Sequence, residues 1–178
     1  MKDVKLVVPS AQYLMSYLEA CREMKASGVT FSTLSDPDTF DCWKDTLFER
    51  MEDYRLGRNI KPGHVPASVF WLVQDDEMIG VGNIRHSLTP SLERLGGHIG
   101  YAIRPSKWNQ GYGTLQLKLL LREANKLGIS RALLTCDERN IASARVMEKN
   151  GGVYQDTIDN VMDGQPIRLR RYWIDTAP

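Results

Sequence analysis

The segment Gln110-Gly111-Tyr112-Gly113 has the composition of a loop that binds a phosphate group. Gly111 and Gly113 lie just before a helical pattern, where the absence of a Cβ lets backbone N–H groups converge on a bulky anion. A helix N-terminus adds unsatisfied N–H donors and a partial positive charge. An ordinary tight turn can have the same G-x-G sequence. Basic and amide side chains nearby favour the phosphate site, namely Arg104, Lys107, Asn109 and Gln110.

A classical dinucleotide site is disfavoured at this loop. It lacks the third glycine and the downstream acidic residue of the dinucleotide-binding fingerprint. A nucleotide-binding α/β domain of another kind stays open, although the loop also lacks the lysine of a P-loop. The loop therefore predicts a bound phosphate rather than NAD.

The elements that must position this loop are a strand before it and a helix after it. Ile99, Tyr101 and Ile103 alternate with His98, Gly100 and Ala102, the period of a strand, and Pro105 ends it. After the loop, apolar residues recur at helical spacing up to Leu127, namely Leu117, Leu120, Leu121 and Ala124. The pattern is typical of an amphipathic helix packed on a sheet.

The rest of the chain predicts an α/β fold. The element order is strand, two helices, three strands, helix, strand, helix and two strands, with helix starts at Ser10 and at Asp36-Pro37. Turn residues at Asp75 to Glu77 predict a hairpin, and Pro90 predicts a turn. The later elements are a strand at Arg131–Cys136, a helix from Ile141 to about Asn150, and strands at Val153–Ile158 and Leu169–Ile174 around a turn at Asp163-Gly164.

Composition limits the function classes. With 178 residues and 42% hydrophobic content, the chain is predicted to form a single domain over residues 1–178. A net charge of +1 argues against nucleic acid or an anionic membrane as a partner. Three cysteines in apolar patterns, Cys21, Cys42 and Cys136, indicate reduced core thiols rather than disulfides or a metal site. No apolar run reaches about 18 residues, so we expect a cytoplasmic protein.

Four segments together resemble the GCN5-related N-acetyltransferase (GNAT) superfamily, and the resemblance extends over nearly the whole chain. They are Ile99 to Pro105, Gln110 to Gly113, Asn140 to Ser143, and Glu148-Lys149-Asn150-Gly151. The resemblance implies a central, mostly antiparallel sheet in which strands 4 and 5 are parallel and splayed, flanked by about four helices.

The resemblance also implies acetyl-CoA as co-substrate, bound between the strand that ends at Ile103 and the strand that ends at Cys136. Its pyrophosphate would lie on the loop backbone, and a backbone N–H near Ile103 would polarise the thioester carbonyl. Asn140 resembles the asparagine that contacts the cofactor, although a helix N-cap explains this residue equally well. The residues implied for cofactor binding are Ile103, Trp108, Asn109, Gln110, Gly111, Tyr112, Gly113, Thr114 and Asn140.

Two departures from the family pattern affect the chemistry. Trp108 stands where the loop usually opens with arginine or glutamine. Met147 stands where many members have the tyrosine that protonates the leaving thiolate, and methionine has no proton to donate. The general base is also unassigned, because Gly97 lies about where some members have a glutamate. His98 and Glu93 are the nearest candidates, although a hydrogen-bonded structural histidine and a solvated loop charge are the alternatives.

The predicted function is transfer of an acetyl group from acetyl-CoA to a primary amine by direct attack in a ternary complex. The alternative is a non-catalytic acyl-CoA sensor with the same fold. The acceptor, a small molecule or a protein, is expected between the first two helices and the loop at 57–66. The resemblance makes a homodimer possible. Acidic residues nearby suit either a cationic acceptor or a solvated helix face, namely Asp36, Asp38, Asp41, Asp45 and Glu49.

Overall fold

A computed structural model gives the structure of residues 3–162 and 164–177. In this part of the chain the strands are β1 (Val4–Val7), β2 (Ala67–Gln74), β3 (Glu77–Arg85), β4 (Ile99–Ile103), β5 (Arg131–Asp137), β6 (Val153–Met162) and β7 (Gln165–Asp175). The α-helices are α1 (Leu14–Ala26), α2 (Phe40–Trp43), α3 (Leu47–Leu56), α4 (Pro90–Arg94), α5 (Tyr112–Lys126) and α6 (Ile141–Lys149). The predicted turn at Asp163-Gly164 cannot be followed fully, because Asp163 lies outside the described residues.

The strands form two antiparallel sheets, with strand orders β1-β2-β3-β4 and β5-β7-β6. The predicted α/β class, a mostly antiparallel sheet flanked by helices, is confirmed. Between the two sheets, β4 and β5 share no ladder in the described residues. An isolated antiparallel bridge joins Gly97 to Leu134. At this junction the N–H of Leu133 donates to the ring of His98, at 3.0 Å, instead of to a β4 carbonyl.

Helices cover both faces of the first sheet. On one face α5 packs against Ile84 and Ile99, and on the other face α1 packs against Trp71 and Val81. The contact with α5 is close because β3 has a glycine beneath the helix. A Cβ added at Gly82 would lie 2.6 Å from Leu120. This packing fixes the start of α5, and with it the loop that precedes the helix.

The structure departs from three predictions between residues 36 and 94. The helix predicted from Asp36-Pro37 is divided into a 3-10 turn at Pro37–Thr39, α2 and α3. Between α2 and α3, the hydroxyl and N–H of Thr46 both donate to the carbonyl of Trp43 and so compete with the helical pattern. The turn predicted at Pro90 contains a short helix, α4, which Thr89 caps. Cys42 is exposed rather than in the core, whereas Cys21 and Cys136 are buried as predicted.

Candidate functional site

The loop before α5 has the geometry of an anion-binding loop. Asn109 and Gly111 have left-handed backbones, with φ of 59° and 85°. Among the described residues, the backbone N–H groups from Asn109 to Thr114 find no protein acceptor. The loop therefore presents a row of unused donors at the N-terminus of a 15-residue helix, where the helix dipole also favours an anion.

The basic side chains beside the loop bind carboxylates of the protein instead of facing the loop. The guanidinium of Arg104 pairs with Glu23 and, at 3.3 Å, with Glu77. Lys107 pairs with Glu77 at 2.6 Å. Burial alone would raise the pKa of Glu23, but hydrogen bonds from Arg104 and from the backbone N–H of Ser106 lower it. This network holds the loop against α1 and the β2–β3 turn.

Several predicted cofactor residues fasten the loop through their side chains. The indole N–H of Trp108 donates to the carbonyl of Ile103 at 2.7 Å. Gln110 donates to the Ser106 carbonyl at 3.1 Å, and the Tyr112 hydroxyl donates to Gln74 at 2.7 Å. The side chain at position 108, a departure from the family pattern, thus stiffens the turn after β4.

The far edge of β4 is open. The N–H of Arg104 donates to Ile79 at 2.9 Å, and the carbonyl of His98 accepts from Arg85 at 2.8 Å. Because hydrogen-bonding direction alternates along a strand, the backbone groups of Ile99, Tyr101 and Ile103 point away from β3, towards β5. No ladder with β5 uses them, and only the Ile103 carbonyl, which accepts from Trp108, is already engaged, so an extended ligand can pair with the other groups as an added strand.

A cluster of hydroxyl and thiol groups lies between β4, β5 and α6. The hydroxyl oxygens of Tyr101 and Ser143 are 3.0 Å apart, and the Cys136 thiol lies close to Ser143. Burial raises the pKa of the Tyr101 hydroxyl and raises the pKa of the Cys136 thiol to about 11, so both hold their protons at neutral pH. Ser143 ends the segment Asn140 to Ser143 that carries part of the family resemblance, but the sequence predicted no catalytic role for its hydroxyl.

Two residues of α6 have the roles of structural residues. The side-chain oxygen of Asn140 accepts from the N–H of Ser143 at 3.0 Å, the N-cap role considered from sequence. The side-chain amide nitrogen of this exposed residue is left for a ligand. Met147 is 1% exposed and belongs to the hydrophobic core. Its position therefore supplies packing and no proton donor.

The two candidate bases differ in their surroundings. His98 is buried, and its Nδ1 accepts from the backbone N–H of Leu133. Burial and the charge of Arg85 lower its pKa, so the ring is neutral, its proton is on Nε2, and its lone pair is occupied. Glu93 is an exposed residue of α4, and its carbonyl accepts from Arg171. Their catalytic roles stay predictions.

A cavity of about 870 Å³ lies beside β3, between α3, α4 and the loop at 57–66. This is the region predicted to hold the acceptor. Neither His98 nor Glu93 lines it, and none of the acidic residues from Asp36 to Glu49 does. Instead Asp36 and Asp38 bind Lys25, both at 2.7 Å, and Asp41 binds Lys44. These acids form a solvated surface, the second of the two alternatives considered from sequence.

A membrane-spanning helix and a metal-binding cluster are both absent from the described residues. No helix there has both the length and the apolar composition needed to cross a membrane. No group of three or more His, Cys, Asp and Glu side chains there is placed to hold a metal ion.

Residues 17–153 match the family model described as an acetyltransferase (GNAT) domain. A search of curated proteins found no match.

Solved structures share the fold at low identity. RimL, a ribosomal L7/L12 alpha-N-protein acetyltransferase in complex with coenzyme A, is 18% identical with a TM-score of 0.67, over 99% of this chain and 97% of that one. MccE, a microcin C7 self-immunity acetyltransferase in complex with acetyl-CoA and AMP, is 14% identical with a TM-score of 0.70, over 98% and 93%. A spermidine N-acetyltransferase SpeG chimera from Vibrio cholerae and hSSAT is 12% identical with a TM-score of 0.66, over 98% and 96%.

Proposed function

Because this chain belongs to the GNAT family of acetyltransferases, we propose that it transfers an acetyl group from acetyl-CoA to a primary amine by direct attack in a ternary complex. The proposal rests on two sets of backbone groups that have no ladder or helix partner and that follow each other closely along the chain. The free N–H groups of residues 109–114 lead directly to the open edge of β4. The coenzyme A and acetyl-CoA complexes of two structural relatives support the choice of ligand.

In this proposal each part of acetyl-CoA meets a different part of the chain. The pyrophosphate lies on the backbone N–H groups from Asn109 to Thr114, since the nearby arginine and lysine are already paired. The pantetheine arm pairs with the edge of β4, and the side-chain amide of Asn140 reaches it from α6. A backbone N–H near Ile103 stabilises the negative charge that develops on the thioester oxygen during attack.

Proton transfer requires a donor for the thiolate and an acceptor for the amine. Ser143 supplies the donor, because it follows the N-cap of α6 and its hydroxyl lies 3.0 Å from the hydroxyl of Tyr101, a residue of β4. The ammonium acceptor must lose a proton before it attacks. His98 and Glu93 stay the candidate bases from sequence, although the lone pair of His98 is used by Leu133.

Thermal unfolding tests which ligand the protein binds. We expect acetyl-CoA and CoA to raise the melting temperature, and ATP and NAD to have no such effect, because only a ligand of the native state stabilises it. Gly111→Asp should abolish the shift by placing a carboxylate in the loop. Gly128→Asp is the matched control, since both glycines have a positive φ, of 85° and 82°, but Gly128 lies at the other end of α5. Absence of a shift with both CoA species would refute the proposal.

A non-catalytic acyl-CoA sensor is the alternative, and the buried Met147 is the observation in its favour. A sensor binds acetyl-CoA and releases no CoA when amines are added. An enzyme releases CoA in proportion to the acetylated amine, which mass spectrometry detects. CoA release with any amine excludes the sensor.

A further inference from the structure

The cavity beside β3 carries more positive than negative charge. Its lining contains the cationic side chains of Arg50, Arg58, Lys61 and Arg85, and one carboxylate, that of Asp53. This carboxylate is already engaged, because it pairs with Arg58 at 2.8 Å and accepts from Asn59 at 2.9 Å. Arg50, Lys61 and Arg85 form no ion pair with any described residue. The cavity therefore has cations without counter-charges.

Arg85 is the most confined of these cations. It is half-buried at the end of β3, and its Nη1 donates to the carbonyls of Gly96 and Gly97 at 3.2 and 3.1 Å. Those two bonds fix the guanidinium plane but leave other N–H donors unused among the described residues. A confined cation is stable when an anion accompanies it. An anionic group in the cavity would provide this partner.

Asn83 is a second polar group that lacks a partner in the cavity wall. It is 4% exposed, and its side-chain oxygen accepts no hydrogen bond from any described residue. This oxygen lies 2.7 Å from where a Cβ of Gly100 would be, so it is against the middle of β4. Asn83 and Arg85 share one face of β3, with Cα atoms roughly 6.5 Å apart. An N–H donor can therefore meet Asn83 while an anion meets Arg85.

We infer that the acceptor is a small primary amine that carries a carboxylate or phosphate group. The anionic group binds Arg85 and the cations at the cavity mouth, and the amine points to Asn83 and the open edge of β4. A volume of about 870 Å³ suits a small molecule. This inference rests on the proposed function and names the acceptor class of the same site.

Matched amine pairs test the inference in the 178-residue chain saturated with acetyl-CoA. The pairs are the standard L-amino acids beside their carboxamides, and O-phosphoethanolamine beside ethanolamine, with spermidine as a cationic probe. CoA release is measured for each compound. We expect at least one anionic member to exceed its neutral partner about tenfold or more in kcat/KM, since a charge-assisted hydrogen bond is worth roughly that factor. The two sets of pairs distinguish carboxylate from phosphate.

Variants show whether the cavity arginines cause the preference. Arg85→Gln and Arg50→Gln should reduce it, and Arg122→Gln, an exposed arginine of α5, should leave it unchanged. Because Arg85 also binds two carbonyls and its variant can lose stability, Arg50→Gln, on the exposed surface of α3, provides the second test. A preference for neutral amines or spermidine, a preference unchanged in both variants, or no turnover of any amine overturns the inference. The thermal shift with acetyl-CoA separately decides the proposed function.

Discussion

Whether His98 can act as the general base depends on the lone pair of its Nδ1 atom. A buried ring whose Nδ1 accepts from Leu133 stabilises the junction of β4 and β5, where the two sheets meet. Removing the acceptor would leave a buried N–H without a partner, at a cost of about 1–3 kcal/mol. A general base needs a lone pair directed at the substrate, which this bond prevents.

His98→Asn tests that role, because the asparagine oxygen can replace Nδ1 as acceptor. We expect kcat/KM to change less than about tenfold, whereas loss of a general base costs roughly a hundredfold or more. The folded-state pKa of His98 is lowered, so the unfolded chain binds more protons below about pH 6.5, and acid reduces stability. In the variant, the loss of stability as pH falls below about 6.5 should be smaller.

Steady-state kinetics measures kcat/KM, and urea unfolding at several pH values measures how stability depends on pH. His86, whose pKa burial also lowers, stays in the variant, so part of the pH dependence should persist. A hundredfold loss of turnover at unchanged stability would instead make His98 the base.

Ser143→Ala tests the proton donor. The backbone N–H of Ser143, which donates to the capping side chain of Asn140, is kept, and the Tyr101 hydroxyl can still donate to the Ser143 carbonyl, so the fold should persist. We expect kcat to fall about tenfold or more, with the KM for acetyl-CoA unchanged. Ser87→Ala, at an exposed position, is the control. Equal kcat values for the two variants would remove Ser143 from the mechanism.

The roles of some single residues could be predicted from the amino-acid sequence, and the roles of others could not. The N-cap of Asn140 followed from residue type and position alone. The ion pairs of Arg104 with Glu23 and Glu77 did not, because 81 and 27 positions separate the partners along the chain. The unpartnered oxygen of Asn83 could not be predicted either, since it depends on what surrounds it in three dimensions.

At the scale of elements, the glycines of β3 and the start of α5 determine the position of the loop. A Cβ at Gly80 would lie 2.8 Å from the side-chain oxygen of Gln116, and one at Gly82 would meet Leu120. The helix can approach the sheet only because these positions lack side chains. Gln116 is completely buried in this contact, and neither of its side-chain polar atoms has a partner among the described residues.

Gln116→Met should therefore stabilise the protein. Methionine has a similar length and no polar group that requires a partner, so the free energy of unfolding should rise by about 1 kcal/mol or more. Urea unfolding measures the change, with Gln165→Met at an exposed position as the control. A less stable Gln116→Met protein would show that the amide has a polar partner.

Elements with a strong local pattern were predictable from sequence. The alternation at 99–103 and the helical spacing after Gly113 gave β4 and α5. The helix predicted from Asp36-Pro37 was wrong in continuity, since the apolar stripe spans α2 and α3 while Thr46 interrupts the backbone pattern. The spacing of apolar residues predicts which side chains are buried, but it does not predict where the backbone of a helix is interrupted.

For the whole molecule, β4 lies between the gap that separates the two sheets and the part of the cavity wall formed by Asn83. The edge of β4 faces the gap, and Gly100, on one face of the strand, lies against Asn83 in the cavity wall. A thioester on the edge and an amine over that face would thus approach each other across one strand. This arrangement requires no covalent enzyme intermediate and is the geometry that the proposed direct attack needs.

Amide hydrogen exchange resolved by residue, with and without acetyl-CoA, tests the position of the ligand most directly. We expect slower exchange at Tyr101, at Ile103 and across residues 109–114, because the ligand would accept from these free N–H groups. Exchange at the exposed Val161 of β6 should not change. Bound acetyl-CoA that protects other amides and leaves the edge of β4 and the loop unprotected would contradict the proposed site.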